Sequence, residues 1–323
     1  MNAELADLGR INLLYGENGA GKTSFLEAIN ILGAGKSFRG SKFSSVISQG
    51  QDSCLVSAVI GPLSGAVEGK VLGVRRDCSG ALEVRHGGET LSRVTDLLGI
   101  VPVQVINADS FRLVAGDPSF RRRYLDWGVF HVERGFLDVW RRFQRCLRQR
   151  NSLLRSGAMR LPELETWTEE LAEVGEIISA YRSSYFGRLV KFFRAVLDRV
   201  APEIMDLQIE YFSGWDENKG LRESLEASRK RDIARGFTHV GPQRADIKLL
   251  WRNSPAGDTM SRGQQKLVVC GLKLAQGRLQ SDAFPGEAVC LLDDLPSELD
   301  RRHLGLICEF LAKLNAQLFM SSI

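Results

Sequence analysis

The chain has 323 residues, of which 44% are hydrophobic, and it carries a formal net charge of +4. This apolar fraction is enough for a substantial core and excludes a disordered chain. No apolar run approaches the roughly 20 residues that span a bilayer, and the first residues lack the signals of a secretory leader. We therefore expect a cytoplasmic protein with no membrane partner, and reduced, buried thiols at its six cysteines.

The first predicted elements are a strand, a glycine-rich loop and a helix. They lie at RINLLY (10–15), GENGAGKTS (16–24) and SFLEAINILG (24–33). Glycines at the spacing G-x-x-x-x-G-K-[ST] let backbone N–H groups point at one phosphate chain, which the following helix N-terminus also attracts. In this pattern Lys22 reaches the outer phosphates and the Thr23 hydroxyl binds Mg²⁺. The candidate nucleotide-binding residues of the loop are Gly16, Asn18, Gly19, Gly21, Lys22, Thr23 and Ser24.

The middle of the chain changes from strand patterns to helical ones. Residues from about 54 to 106 favour strands, at CLVSAVI, KVLGVRR, ALEVRHGG and VPVQVI. From about 112 to 200 the apolar spacing is helical, and a strand (207–212) and a charged helix (about 220–235) follow. One predicted apolar helix face is Phe136, Trp140, Phe143, Leu147 and Leu154. A second is Trp167, Leu171, Val174, Ile178, Tyr181, Tyr185, Phe192, Val196 and Val200.

A basic region lies within these helices. Between Arg112 and Arg160 there are twelve arginines and four acids. Guanidinium groups at helical spacing suit phosphate contacts along DNA, and such contacts carry no sequence information. A solvated helix face with local acid partners is the alternative. The candidate DNA-binding residues are Arg141, Arg145, Arg148 and Arg155.

Two polar segments near the end of the chain complete a candidate site. AVCLLDDL (288–295) predicts a buried strand whose Asp293 holds Mg²⁺ and whose Asp294 orients or deprotonates a water, although a surface strand cap is possible. SELD (297–300) is a plausible helix start with a capping role. A helix of about 299–313 and a strand-like QLFMSSI follow. SRGQQK (261–266) precedes an apolar helix, and its first-turn N–H groups form an anion site, with a plain N-cap as the alternative. Because the chain already has a phosphate loop, a second anion-binding helix suggests that a second copy supplies it. The candidate residues of this turn are Ser261, Arg262, Gly263 and Gln264.

These segments together resemble a known family. GENGAGKTSFLEAI, SRGQQK and LLDDLPSELD are similar to the nucleotide motifs of ABC-type ATPases of the SMC and Rad50 class. SRGQ and GPQRADI (241–247) narrow the resemblance to the RecF family of bacterial DNA-repair proteins. KSFR (36–39), RRRYLDW (121–127) and QRN (149–151) are also similar, in family order across nearly the whole chain.

The resemblance implies an α/β fold in which an ABC-type ATPase head, with a phosphate loop and a mixed sheet with helices, contains an inserted mainly helical lobe. We expect the head at residues 1–110 and 238–323 and the lobe at 111–237. The loop around Lys22 is then Walker A, and Asp293 with Asp294 is Walker B. The signature motif is then 261–264, the D-loop is 297–300, and Gln104 falls where a Q-loop is expected.

The resemblance also implies a function. Family members are weak, DNA-stimulated ATPases in which ATP with Mg²⁺ is held between two heads, so the ATP-bound state is a homodimer. The dimer binds duplex DNA or single/double-strand junctions without sequence preference. With RecO and RecR it helps load RecA at gapped DNA, in recombinational repair and replication restart.

The chain departs from the family pattern in two respects. Gln243 stands where the family usually has histidine, within GPQRADI. The family usually has one or two further strands before 10–15 and continues past 317–323, so we expect sheet edges with unpaired backbone groups.

Two other functions remain open from the residues. A transporter-type ATPase subunit would use the helical lobe to drive a membrane partner, but the arginine-rich region and the SRGQ signature argue against it. A stand-alone phosphotransferase would need an acceptor pocket, for which we find no residues. His131 and His239 have no serine or cysteine partner in a recognisable motif, so triad chemistry is not expected.

Overall fold

The computed structural model describes residues 3–40, 46–61, 69–91, 94–156, 161–295 and 299–322. These residues form two compact units. Unit 1 lies within residues 1–111, 196–201 and 266–323, and unit 2 lies within residues 112–195 and 202–265.

The helices and strands follow the predicted order closely. The strands are β1 (Ile11–Tyr15), β2 (Ser53–Ile60), β3 (Lys70–Asp77), β4 (Leu82–His86), β5 (Glu89–Thr90), β6 (Val103–Ile106), β7 (Gln208–Phe212), β8 (Asp246–Trp251), β9 (Ser254–Pro255), β10 (Ala288–Leu292) and β11 (Ala316–Ser322). The helices are α1 (Lys22–Ala34), α2 (Val94–Leu98), α3 (Arg112–Ala115), α4 (Pro118–Val132), α5 (Phe136–Arg155), α6 (Leu161–Val200), α7 (Gly220–Arg235), α8 (Ala256–Thr259), α9 (Arg262–Ala283) and α10 (Arg301–Ala312).

The central feature of unit 1 is a parallel sheet of order β1-β11-β10-β6. All five residues of β10 are buried, as expected for a continuous apolar strand in the middle of a parallel sheet. β1 lies at an edge of this sheet, and its Ile11, Leu13 and Tyr15 are exposed. Because parallel strands end at the same sheet edge, the loop after β1 and the acids after β10 come close together.

Helix α1 packs against this sheet and against the separate antiparallel sheet β2-β3-β4-β5. Its Leu26 and Ile31 are buried in one cluster with Leu72, Leu291 and Phe319. The helix ends where Gly35 takes a left-handed conformation, with φ of 63°, and donates its N–H to the Ile31 carbonyl. This packing fixes the direction of the helix whose N-terminus follows the glycine-rich loop.

Unit 2 combines the helices α4 to α7 with the antiparallel sheet β7-β8-β9. The long helix α6 buries Ile178, Tyr185, Leu189 and Phe193 completely. The sequence predicts Phe192 on the apolar face of this helix, but Phe193 is the buried residue and Phe192 is half-buried. Successive helical residues are rotated by about 100°, so the apolar face is centred one position later than predicted.

Two ion pairs join α4 to other parts of unit 2. The Arg121 guanidinium donates to both carboxylate oxygens of Asp246, at 2.7 and 3.0 Å. Arg182 on α6 does the same with Asp126, at 2.7 and 2.9 Å, and also donates to the Pro242 carbonyl. Paired forks of this kind restrict both partners to one geometry.

A third ion pair is completely buried in unit 2. Arg150 on α5 and Asp232 on α7 have side chains with 0% exposure, and their atoms approach to 2.9 Å. Arg150 also donates to Thr168 and Thr238, while Asp232 accepts from Ser228. Neither charge can be solvated, so each depends on these partners.

The compact units differ from the domains expected from the sequence. Residues 238–265 group with the helices, whereas the expected boundary assigned them to the head. The physical reason is that β8 pairs with β7, with Tyr211 opposite Ile247, and that Asp246 binds Arg121. Residues 196–201 group with unit 1 instead of with the rest of α6.

All six cysteines are free thiols, but only Cys146, Cys270 and Cys290 are buried; the expectation that the thiols are buried is wrong for Cys78, which is exposed. Burial raises the pKa of Cys146 to about 11 and that of Cys290 to about 12. Thiols with raised pKa values are poor nucleophiles at neutral pH, so these two are packing residues.

Candidate nucleotide site

The glycine-rich loop lies between β1 and α1, as the sequence predicts. Gly19 and Gly21 have φ of 85° and 92°, which a side chain disfavours, and Gly21 immediately precedes α1. The Lys22 ammonium donates to the carbonyl oxygens of Gly16 and Glu17, at 2.6 and 2.9 Å. Lys22 therefore closes the loop, and the α1 N-terminus points its unpaired N–H groups at the same space.

The Thr23 hydroxyl donates to a carboxylate oxygen of Asp293 at 3.0 Å, across 270 residues of sequence. Both side chains are half-buried. Hydroxyl and carboxylate oxygens at this separation suit Mg²⁺, which prefers oxygen ligands and typically uses one or two carboxylates together with substrate phosphates and water. Among the residues that the structure describes, no cluster of three or more His, Cys, Asp or Glu is placed to hold a metal ion. Within the described ranges, the Asp293 carboxylate beside the phosphate loop is therefore the candidate metal ligand.

Asp294 follows directly and is held in an uncommon conformation. Its φ is 53°, in the left-handed region that most side chains avoid. Its backbone N–H donates to the Ser321 hydroxyl at 2.8 Å, and that hydroxyl also lies 3.0 Å from Asp293 and 3.4 Å from Asp294. The sequence analysis missed Ser321, because only the pairing of β11 beside β10 places it there. We refer to residues 16–24 with Asp293, Asp294 and Ser321 as the nucleotide site.

The predicted anion-binding turn at Ser261–Gln264, here the signature turn, precedes and begins α9 within unit 2. Ser261 and Gln264 form a capping box: the Gln264 N–H donates to the Ser261 hydroxyl at 3.3 Å, and the Ser261 N–H donates to the Gln264 side chain at 3.0 Å. The buried Gln265 amide donates to the carbonyls of Gly257 and Met260. This accounts for much of the polar chemistry ahead of the helix, while Arg262 and Gly263 are exposed.

The sequence analysis also expected a Q-loop at Gln104 and a D-loop at residues 297–300. Gln104 does not lie in a loop: it is buried in β6 and donates to the Lys273 carbonyl and to Gln276. The Q-loop expectation is therefore wrong, because VPVQVI is strand throughout its second half. In the segment expected to be a D-loop, Ser297 and Glu298 lie outside the described residues. Asp300 caps α10 by accepting the His303 N–H at 2.9 Å, and this bond is the main cause of its lowered pKa.

The four candidate DNA-binding arginines, here the arginine face, lie on α5 opposite its buried side. Arg145, Arg148 and Arg155 are exposed, and Arg141 is half-buried at 3.4 Å from Asp138. The Arg145 guanidinium lies 5.9 Å from the centre of the Trp167 ring. The glutamates of α6 that approach this helix, Glu170 and Glu173, pair with the neighbouring Arg142 instead.

Among the described residues, the contacts of His131 and His239 are not those of a catalytic triad. His131 is buried, with its Nδ1 2.8 Å from the Trp127 carbonyl of the same helix. His239 lies 2.9 Å from Asp232, and Ser228 donates to that same aspartate. The aspartate thus stands between serine and histidine, whereas a triad needs the histidine between them.

Comparison with known proteins places the whole described chain in one family. A family model for the "RecF/RecN/SMC N terminal domain" matches residues 3–323. The DNA replication and repair protein RecF of Stutzerimonas stutzeri is 43% identical over 97% of this chain and 84% of its own length. The RecF of Azotobacter vinelandii is 46% identical over 97% of this chain and 85% of its own length. The chain belongs to the RecF family.

A solved structure agrees with this membership. The recombination mediator protein RecF in complex with ATP, from the RecFOR pathway, superposes with a TM-score of 0.86 at 26% identity. The match covers 98% of this chain and 87% of that one. An Smc head bound to a domain of ScpA matches with a TM-score of 0.53 at 14% identity, which supports the fold alone. The expected α/β head of ABC type is therefore confirmed.

RecF membership also weighs against the transporter alternative. The relatives above are named as DNA replication and repair proteins. Across the described ranges, no helix is both long enough and apolar enough to cross a bilayer.

Three of the segments that resembled RecF outside the nucleotide motifs, RRRYLDW, QRN and GPQRADI, lie within unit 2, whereas KSFR lies within unit 1. RRRYLDW supplies Arg121 and Asp126, and GPQRADI supplies Asp246, all three of which are partners in the ion pairs described above. GPQRADI also supplies the Pro242 carbonyl, which accepts a hydrogen bond from Arg182. QRN supplies the buried Arg150. Gln243, in the place of the usual histidine, donates its amide to the Val240 carbonyl at 2.7 Å and so holds its own loop.

Proposed function

We propose that this RecF-family chain is an ATP-controlled DNA-binding protein acting in recombinational repair and replication restart at gapped DNA. The observation that carries the proposal is the 3.0 Å contact between Thr23 and Asp293, which brings the phosphate loop and the buried acidic strand into one site. The names of the relatives, DNA replication and repair protein RecF and RecF-ATP of the RecFOR pathway, support the same function.

The nucleotide site has a role for each residue in this proposal. Lys22 binds the outer phosphates, Thr23 and Asp293 hold Mg²⁺, and Asp294 orients the attacking water. When bound, ATP supplies the phosphoryl group and Mg²⁺ neutralises its charge. Asp294 is one methylene shorter than glutamate, so its reach to the water is shorter and we infer slow turnover. The residues that cradle the phosphates are Gly16, Asn18, Gly19, Gly21 and Ser24.

The signature turn completes the site of a second copy. Ser261 and Gly263 are exposed at the start of α9, where first-turn N–H groups attract an anion. Arg262, between these two residues, and Gln264, directly after them, belong to the same nucleotide contact. Because ADP lacks the γ-phosphate that this turn binds, ATP stabilises the homodimer and ADP does not. Nucleotide state thereby controls the monomer–dimer equilibrium.

The dimer binds DNA through the arginine face. Exposed guanidinium groups at helical spacing contact phosphates without reading bases, which suits duplexes and single/double-strand junctions alike. We further propose that DNA stimulates the weak ATPase and that RecO and RecR are partners in loading RecA. The RecFOR pathway named for the structural relative supports these partners.

Static light scattering tests the switch directly. We expect a monomer without nucleotide and with ADP, and a dimer with ATP and Mg²⁺, because only ATP joins the two surfaces. Lys22→Ala is expected to stay monomeric with ATP, and DNA is expected to increase the dimer fraction of the unmodified chain. Equal dimer fractions with ADP and ATP would contradict the switch.

Salt dependence tests the arginine face. Replacing Arg145, Arg148 and Arg155 together with glutamine is expected to make the negative slope of log affinity against log salt shallower, by about 0.9 per lost phosphate contact. Fluorescence anisotropy with a labelled duplex, in ATP and at several salt concentrations, measures this slope. Arg142→Gln is the matched control, since Arg142 lies on the same helix but is paired with Glu170. An unchanged slope in the triple variant would place the DNA contact elsewhere.

A further inference from the structure

Ser321 contacts both acids of the nucleotide site and has no role in the function proposed so far. It lies near the end of β11 and its side chain is fully buried. Its hydroxyl oxygen is 3.0 Å from Asp293 and 3.4 Å from Asp294, and it accepts the Asp294 N–H at 2.8 Å. A single small side chain thus touches the metal-binding acid, the water-orienting acid and the backbone that joins them.

The hydrogen bonds of Ser321 are not interchangeable. A hydroxyl carries one hydrogen, so it donates fully to only one carboxylate at a time, and the shorter distance favours Asp293. Thr23 donates to the same Asp293 oxygen at 3.0 Å. Two hydroxyls therefore fix the orientation of this carboxylate, as outer partners fix the ligands of metal sites.

Ser321 also holds the backbone of Asp294. With φ of 53°, Asp294 is in a conformation that persists only when its surroundings enforce it. The N–H to Ser321 bond is such a constraint, because the serine is on a different strand and is itself buried. The direction in which the Asp294 side chain leaves the chain therefore depends on the serine oxygen.

We propose that Ser321 is a positioning residue for ATP hydrolysis, which aligns Asp293 for Mg²⁺ and Asp294 for the attacking water. The inference rests on the proposed function, since it concerns the same site. Ser321 acts through the two acids and does not touch the nucleotide. Removing its hydroxyl should therefore impair metal use and turnover while leaving nucleotide contacts of the loop intact.

The variants are Ser321→Ala, which removes the hydroxyl, and Ser321→Cys, which keeps the volume but replaces a strong donor with a weak one. The control is Ser281→Ala. Ser281 is also buried in unit 1, but its hydroxyl bonds only the Arg278 carbonyl of its own helix. The control therefore measures the effect of losing a buried serine hydroxyl away from the site.

Three measurements distinguish a positioning role of Ser321 from a purely structural one. Both Ser321 variants are expected to lower kcat about 10- to 100-fold with little change in KM, as for outer partners of metal sites. In calorimetry, the Mg²⁺ concentration that half-maximally tightens ATP binding is expected to rise by a similar factor. ATP binding in EDTA is expected to match the unmodified chain, and thermal unfolding midpoints are expected to match Ser281→Ala.

The outcomes distinguish this inference from the function on which it rests. If the unmodified chain binds neither ATP nor Mg²⁺-ATP, the proposed function itself is wrong. If the unmodified chain turns over ATP and both Ser321 variants keep its kcat and Mg²⁺ dependence, the Ser321 role is overturned and the function stands. A lower unfolding midpoint with unchanged kcat in Ser321→Cys also overturns it, since it would show a purely structural serine.

Discussion

A mixture of two inactive variants, Lys22→Ala and Gly263→Asp, is expected to recover about one quarter of the unmodified ATP turnover. Each variant alone is expected to lose on the order of 100-fold or more, because preorganised charge at the phosphates is removed or opposed. In a heterodimer, one pocket combines both defects and the other combines an intact Lys22 with an intact Gly263. The assay is run at protein concentrations well above those of the light-scattering experiment, so that both variants pair at random. About half the dimers are then mixed, each with one working pocket, which gives the quarter.

The structure makes Gly263→Asp a clean variant. Gly263 is exposed, and a Cβ built there meets no atom nearer than the Ser261 hydroxyl oxygen at 4.0 Å. The added carboxylate therefore repels phosphate without disturbing packing. Gly187→Asp is the matched control, since Gly187 is exposed on α6 with nothing within 4 Å of its Cβ position. A steady-state phosphate-release assay at equal total protein provides the comparison, and a mixture no better than its components would refute the shared pocket.

Replacing Arg150 with methionine is expected to destabilise unit 2 by about 3–5 kcal/mol, because it leaves the Asp232 carboxylate buried without its counter-charge. The control Arg142→Met, on the same helix, removes an exposed pair with Glu170 and is expected to cost at most about 1 kcal/mol. If both variants lost the same free energy of unfolding, the buried Arg150–Asp232 pair would matter no more than the exposed one.

Tryptophan fluorescence in a urea titration measures the effect in the correct unit. All five tryptophans, Trp127, Trp140, Trp167, Trp215 and Trp251, lie in unit 2. The fluorescence transition therefore reports unit 2 even where unit 1 unfolds separately. ATP affinity measured in parallel shows whether the nucleotide site of unit 1 is affected.

The sequence predicted those parts of the site whose chemistry is local. The phosphate loop, the strand with its two acids and the signature turn were all recognisable because each is a short pattern with one physical purpose. Their meeting was only partly predictable: Thr23 and Asp293 were assigned the same metal, but no pattern shows that strands so distant in sequence are neighbours. Ser321 was missed for this reason, since its role depends on the pairing of β11 with β10.

Other features differ from the sequence predictions because the same residue type or pattern occurs in more than one structural environment. Arg150 belongs to a stretch in which most arginines are exposed, so burial could not be inferred until α7 supplied Asp232. Gln104 was predicted within the strand VPVQVI and was also expected at a Q-loop position, and the structure places it in the buried strand β6. Residues 238–265 were assigned to the head because β8 resembles any amphipathic strand, and only its partner β7 decides the unit to which it belongs.

The pairing of β1 with β11 affects when the sheet of unit 1 can form during synthesis of the chain. Ile11 lies opposite Leu318, so β1 remains without its neighbour until almost all of the intervening chain has left the ribosome. At ordinary rates of translation this delay is on the order of 15–60 s. Asp293 and Ser321 emerge in the same late interval, so a nascent chain exposes a phosphate loop long before it can hold a metal beside it. In the mechanism that we propose, nucleotide-driven pairing of two copies therefore has to wait until synthesis has passed β11.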